Sequence, residues 1–274
     1  MRTGHGRASS SWLTLREPAD AAARAPELVR EVRSHLPTDG VVVVHDLGCG
    51  NGSMARWLAV QLNGPQHWVM VDRDAELLAV AVTNLPEHAA DGGRVTIETR
   101  RRDITRLAPH ELGGAALITA SALLDMMTGK ELDRFVATCA AAGCPALVLL
   151  SVTGQVELDP PDPFDHRVRE AFNAHQRRTV GGERLLGPDA VGAAVDRFQR
   201  LGVDVLVRPS PWRLGPGQRA LQAEWFTGWL AAACEQAPGL VAEAAPYAQR
   251  RLAEAAAGAL RVTVHHQDLF VRRR

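Results

Sequence analysis

One stretch of the chain concentrates residues that can do chemistry. Val41 to Gly52 reads VVVVHDLGCGNG: an apolar run reaches Asp46, and Gly48, Gly50 and Gly52 then stand at alternate positions. Glycines where a strand turns into a helix lack the Cβ that would hold a ligand off the backbone. Twenty-two residues after Gly50, the run His67-Trp68-Val69-Met70-Val71 ends in Asp72. A carboxylate at the tip of the next strand suits the diol of a ribose. The two features predict a site for a nucleoside-containing cofactor.

The register of the glycines sorts the cofactors. In the dinucleotide fingerprint G-x-G-x-x-G the third glycine packs helix on strand. Here that position is Ser53, and Gly52 comes one residue early. Asp46, shortly before the first glycine, would repel a pyrophosphate but receive the ammonium of a methionine moiety. The spacing therefore favours S-adenosylmethionine over a nicotinamide dinucleotide.

Such a site needs a sheet behind it. Strands are expected at 41–46, 67–72, 94–100, 115–120 and 146–152, with helices over 51–63, 74–85 and 130–142 between them. Short apolar strands alternating with helices predict a parallel sheet covered on both faces. Residues 12–36 read as helical, split by Pro18 and Pro26, after a Gly/Ser/Arg-rich tail at 1–11. After 152 the pattern changes. Residues 153–187 are polar and carry one helix, 164–177; a helix over 188–201 leads to a strand at 203–207. Two helical stretches, 216–235 and 239–258, precede a last strand at 260–271. The expectation is one α/β domain over 12–274, a doubly wound, Rossmann-like sheet. Its cofactor core is 41–152, and 153–187 and 210–258 are elaborations on the substrate side.

Asp46-Leu47-Gly48-Cys49-Gly50-Asn51-Gly52 resembles the first motif of the class I S-adenosylmethionine-dependent methyltransferases, and the resemblance extends over 41–152. It implies a seven-stranded sheet whose last strand is antiparallel, and transfer of a methyl group; the insert after the fifth strand, the two helices before the last strand and the neutral charge point to a small-molecule acceptor. It also implies site residues. Gly48 and Gly50 would cradle the methionine part, with Asp46 beside it, and Asp72 would bind both ribose hydroxyls. Asp103 would accept from the adenine amino group, with Ile104 nearby. Thr119, Ala120 and Ser121 would lie beside the sulfonium. In related folds an N-terminal helix covers the cofactor, so Arg16 or Arg24 is expected to clamp its carboxylate.

Methyl transfer is an in-line displacement in which positioning does most of the catalysis. A base is needed only where the acceptor must lose a proton. His175 is the expected base, and Asp125, after the fourth strand, could orient an acceptor amine. His166, Asn173, Gln176 and Arg177 are expected on the substrate side, next to the break at Gly181-Gly182, as parts of a lid. Trp225 and Trp229, four residues apart, share a helix face and form either core or an aromatic wall. His265 and His266 are neighbours on a strand and point to opposite faces, so no shared metal is expected.

Composition narrows the rest. The formal net charge is zero, which gives no basic footprint for nucleic acid. The four cysteines show no zinc or redox spacing, and no apolar run reaches membrane-spanning length, so a soluble cytoplasmic protein is expected. Oligomeric state is not readable. Three other readings stand beside the small-molecule enzyme: an RNA or protein methyltransferase, a cofactor-binding partner subunit without catalysis, and a nicotinamide-dependent oxidoreductase.

Overall fold

The computed structural model describes residues 2–3 and 7–273. Positions 1 and 4–6 of the expected tail lie outside the described residues; Arg2–Thr3 pairs antiparallel with Arg7–Ala8, and the first helix already begins at Ser10.

The sheet has seven main strands: β1 (Val42–Leu47), β2 (Gln66–Asp72), β3 (Val95–Arg101), β4 (Leu117–Ser121), β5 (Ala146–Asp159), β6 (Val203–Pro209) and β7 (Arg261–Arg273). Their order is β6-β7-β5-β4-β1-β2-β3, with β7 antiparallel to both neighbours and the central strands parallel. A short eighth strand, Trp212–Leu214, adds to β7. The central strands bury both faces, and side-chain alternation feeds two cores. Val42, Val44, Trp68 and Met70 enter one, with Leu28, Val32 and Leu58. Leu47, Val69, Val71 and Ile118 enter the other, with Phe135 and Phe198.

Helices α1 (Ser10–Ala23) and α2 (Pro26–His35) precede the sheet. Helices α3 (Ser53–Ala59), α4 (Ala75–Ala81), α5 (Gly129–Ala142), α6 (Phe164–Gln176), α7 (Ala190–Arg200), α8 (Arg219–Gln236) and α9 (Val241–Ala257) complete the chain. Pro26 sits at the first turn of α2, where its missing N–H costs nothing. Pro18 does not split the chain as expected. It lies inside α1 on the exposed side, and the carbonyl it deprives, that of Thr14, belongs to an exposed residue as well. Among the described residues no helix is long and apolar enough to cross a membrane.

The largest departure from expectation is β5. It runs on to Asp159 rather than stopping at 152. Its first part is buried throughout, whereas from Gly154 onward exposure alternates, with Val156 and Leu158 inside and Gln155, Glu157 and Asp159 outside. That second part has only β7 beside it, pairing Val156 with Val264 and Leu158 with Val262. This ribbon projects past the sheet and carries a third core built with α6, α8 and α9, including Val168, Trp229 and Tyr247. Arg251, buried on α9, ties these parts together. It donates to both oxygens of Asp165 on α6 (2.7 and 2.6 Å), to Glu254 (2.8 Å) and to the Pro160 carbonyl (2.6 Å).

A second buried charge sits where the ribbon leaves the sheet. Asp268, in a stretch of β7 with register shifts, accepts from Leu150 N (2.7 Å), Ala25 N (2.8 Å) and Ser210 Oγ (2.5 Å). Leu150 holds a left-handed φ of 55°, which an L-residue adopts at a cost. Asp268→Ala would strand three buried donors at once. It should cost about 3 kcal/mol of stability in a urea titration, and a loss below 1 kcal/mol would show the donors are satisfied otherwise.

Candidate active site

The glycine turn lies between β1 and α3, and the structure shows why it carries glycine. Gly48 and Gly50 both have positive φ, 69° and 55°. A Cβ on Gly48 would come within 3.2 Å of Leu123, and one on Gly50 within 3.0 Å of Leu13 on α1. So α1 lies directly over the turn. It is fastened there by Glu17, whose two oxygens take Arg56 of α3 at 2.7 and 2.6 Å.

Beneath α1 is a cleft of about 310 Å³. It is lined by Asp46, Gly48, Gly50, Asp72, Asp103 and Ile104, with Ser121 and Arg16 at its sides. These come from the ends of β1, β2 and β4 and the segment after β3, the carboxyl end of the sheet where α/β folds bind ligands. Asp72 is oriented by backbone N–H groups: Gly50 donates to Oδ2 and Asp74 to Oδ1, each at 2.9 Å. Asp74 in turn caps α4 through Glu76 N at 3.0 Å, the role its position suggests. Asp103 lines the cleft and also caps the turn Ile104–Arg106, accepting from Thr105 N at 3.0 Å.

Asp46 is the informative group. Its carboxylate is buried; Oδ1 accepts from Thr119 Oγ1 at 2.8 Å, while Oδ2 has no hydrogen-bond partner. Loss of hydration holds its carboxyl up at about 7, against the pull of the Thr119 hydroxyl and of Arg24. A buried carboxylate oxygen without a donor needs one, and an ammonium supplies it.

Beside the cleft is a larger cavity of about 450 Å³. The two share Trp12, Arg16 and Ala122 as walls. The turn after β4 divides them: Leu123 and Met126 line the cofactor side, whereas Asp125 lines the larger cavity. Ala122, at the crest, holds a φ of 53°. From α6 come Phe172, Asn173, His175 and Gln176, and from α8 Trp225 and Trp229. The two tryptophans stack with centroids 5.2 Å apart and rings 18° from parallel, so they are both core and wall. His175 Nε2 lies 3.4 Å from the Glu235 carboxylate on α8.

Several expected site residues stand elsewhere. Thr119 and Ala120 are fully buried under the cleft, and Thr119 acts only through its bond to Asp46. Arg24 does not line the cleft. It is buried, donates to Ser53 O at 3.3 Å and Ser53 Oγ at 3.1 Å, and stacks over Trp57. His166 lines neither cavity and pairs with Glu170 on the surface at 3.2 Å. Arg177 likewise points away, held by both oxygens of Asp189 at 2.6 Å. Positions 166, 170 and 173 follow one helical stripe, yet only Asn173 of them reaches the cavity, where Gln176 joins it. Reading the sequence missed Trp12, Phe172, Gln155 and Glu235 as walls of this cavity. No local spacing joins them, because α1, β5, α6 and α8 bring them in from distant parts of the chain.

The methyltransferase-domain family matches residues 44–145, which run from β1 to the end of α5 and hold the glycine turn, Asp72 and the turn after β4. Over this stretch the chain carries a methyltransferase domain. The fold agrees. A protein from Anaeromyxobacter dehalogenans assigned as a type II methyltransferase superposes with a TM-score of 0.50 at 17% identity, covering 91% of this chain and 96% of that one. The cyclopropane synthase MmaA2 from Mycobacterium tuberculosis does so with a TM-score of 0.50 at 12% identity, covering 96% and 94%. At these identities the likeness is one of fold. No curated protein matches the chain significantly.

The cofactor is S-adenosylmethionine, and Asp46 leads to a measurable consequence. A carboxyl raised to about 7 keeps its proton when the unfolded chain has already lost one, so ionising it on the way up to neutrality costs stability. An ammonium in contact offsets that cost and favours the ionised form. Affinity for S-adenosylhomocysteine should therefore rise about tenfold from pH 6 to pH 8, and Asp46→Asn should bind more weakly with a flat profile. A flat profile in the unsubstituted protein would reject the ammonium contact. Asp72→Ala should weaken the same binding at least about tenfold; unchanged affinity in calorimetry would reject its ribose role.

Proposed function

We propose that this methyltransferase acts on a small molecule held in the larger cavity. The observation that carries the reading is the shared wall of Trp12, Arg16 and Ala122, which sets an aromatic cavity of about 450 Å³ directly against the cofactor cleft. That volume is in the range of small-ligand sites. Its lining comes from α1, α6, α8 and β7, so it is roofed by the chain's own elaboration and is not a groove along a surface. The neutral overall charge gives no footprint for a nucleic acid. The four cysteines are free, which fits a reducing compartment, and we place the enzyme in the cytoplasm on that basis.

The residues divide the labour as follows. Gly48, Gly50, Asp46, Asp72 and Asp103 would hold S-adenosylmethionine, which, when bound, supplies a methyl group on a sulfonium that departs as a neutral thioether. Arg16 flanks both cavities but is already forked onto Asp20 at 2.9 and 3.0 Å, leaving Nη1 to meet a carboxylate. Asp125 sits on the turn that separates the cavities, so it is placed to receive a proton from the acceptor. His175 is in the same cavity on the opposite, α6 and α8, side. Asn173 and Gln176 are placed to position the acceptor. Positioning supplies most of the rate, on the order of 7–11 kcal/mol in favourable cases.

Incubation with methyl-labelled S-adenosylmethionine and a fractionated cell extract should place label in the low-molecular-weight fraction. Label confined to RNA or protein would overturn the proposal. With an acceptor in hand, Asp125→Asn should lower kcat about a hundredfold with cofactor affinity retained, whereas an unchanged kcat would remove Asp125 from the reaction.

A further inference from the structure

Four of the six tryptophans in the chain, Trp12, Trp212, Trp225 and Trp229, line the larger cavity. Aromatic residues make up only 5% of the sequence, so this concentration belongs to the cavity and not to composition. Flat indole walls favour a flat ligand, and their electron-rich faces favour a cation. The structure already seats one cation in this way: the Arg16 guanidinium lies 4.9 Å from the centre of the Trp212 ring.

The charge around the cavity points in the same direction. Its lining cations are Arg16 and Arg178, and its carboxylates are Asp125 and Glu235. Asp20 neutralises Arg16 with a forked pair and receives Trp212 Nε1 at 2.9 Å as well. Arg178 donates to the His175 carbonyl at 3.1 Å, at the end of its own helix. His266, buried against Trp212, is held neutral, its imidazolium disfavoured down to about 3 by burial and then by Arg16. With Arg16 cancelled by Asp20, the lining leaves two carboxylates, one of them 3.4 Å from His175, beside one guanidinium, that of Arg178.

Among its buried polar atoms without a partner are two amide oxygens, Asn173 Oδ1 and Gln176 Oε1, beside Trp229 Nε1 and His266 Nδ1. For Asn173 the amide orientation is fixed, because Nδ2 donates to the Gly154 carbonyl at 2.9 Å and a flipped amide would set oxygen against oxygen. A ligand that brings N–H groups satisfies these oxygens; a carboxylate or phosphate does not.

We infer that the acceptor is a planar aromatic compound bearing an amine, stacked between the tryptophans with its nitrogen toward Asp125 and the amide oxygens. The inference rests on the small-molecule reading and narrows it. Anionic aromatic compounds and aliphatic amines are the alternatives it excludes, one by charge and the other by stacking.

Three probes of similar size separate these terms: tryptamine, indole-3-propionate and hexylamine, each titrated calorimetrically into the protein saturated with S-adenosylhomocysteine. Tryptamine should bind about tenfold more tightly than either of the others. Trp225→Ala should remove about tenfold of that affinity and leave S-adenosylhomocysteine binding unchanged; Trp225 is only half-buried, and retained cofactor binding shows that the variant is folded. Asp125→Asn should weaken tryptamine and hexylamine alike and leave indole-3-propionate no weaker than before. Equal or tighter binding of indole-3-propionate overturns the charge argument, and equal binding of hexylamine overturns the stacking argument. No binding by any probe overturns the inference as a whole. The broader reading then stands or falls separately, by whether label from the cofactor enters the low-molecular-weight fraction of an extract.

Discussion

The acceptor side of this enzyme depends on one buried carboxylate. Asp268 takes three donors from three separate parts of the chain: Ala25 N, Leu150 N and Ser210 Oγ. Each fixes something different. Ala25 is the break between α1 and α2, so its bond anchors the end of α1 and the start of α2. Leu150 is the point at which β5 leaves the sheet and becomes the ribbon. Ser210 precedes the short strand that presents Trp212. Burial pushes the Asp268 carboxyl up, and the three donors oppose that push, so the carboxyl and the three segments that supply its donors depend on one another. The cost of Leu150 at positive φ is borne by the same junction.

Asp46 and Asp268 are both buried in one domain, and their surroundings separate structure from function. Asp268 has donors enough to settle a buried charge. Asp46 has one, Thr119, and an oxygen with none. A fold gains nothing from a half-satisfied buried acid, since the unpaired oxygen forfeits its hydration without return. Such a group persists where something outside the chain completes it. Asp72 shows the intermediate case. Backbone N–H groups of Gly50 and Asp74 fix its direction, and its place on the cleft wall leaves it open to a ligand.

The cofactor half was legible because its signals are local. Asp46, Gly48 and Gly50 lie on one turn, and Asp72 follows at the spacing of one βαβ unit, so sequence distance stands in for spatial distance. The expected strands reappear within a few residues, apart from β5, whose second half alternates too briefly to register as a strand without β7 beside it. The acceptor half was not legible for the same reason in reverse. Trp12 meets Trp212 and His266 only because β7 turns back antiparallel between β5 and β6. Arg24 shows how residue type misleads. An arginine near a cofactor helix suggests a carboxylate clamp, yet this one gives its two terminal nitrogens to Ser53 and lays its plane on Trp57. His166 and Arg177 failed because acidic neighbours, Glu170 and Asp189, claim them at the surface.

Arg16 explains how the two halves are kept distinct. It borders both cavities, and an unpaired guanidinium there would attract anions to either. Asp20 cancels its charge with a forked pair, and Trp212 holds Asp20 from the other side, so cation, acid and indole form one closed unit. The unit leaves a single guanidinium nitrogen uncommitted, enough to meet the carboxylate of the cofactor but little more. The cavity beyond it is then governed by Asp125, Glu235 and the amide oxygens. A sulfonium at the junction adds positive charge when the cofactor is present, and the carboxylates on the far side compensate for it. The wall that joins the cavities thus carries one guanidinium whose charge is cancelled by Asp20 before it reaches either side.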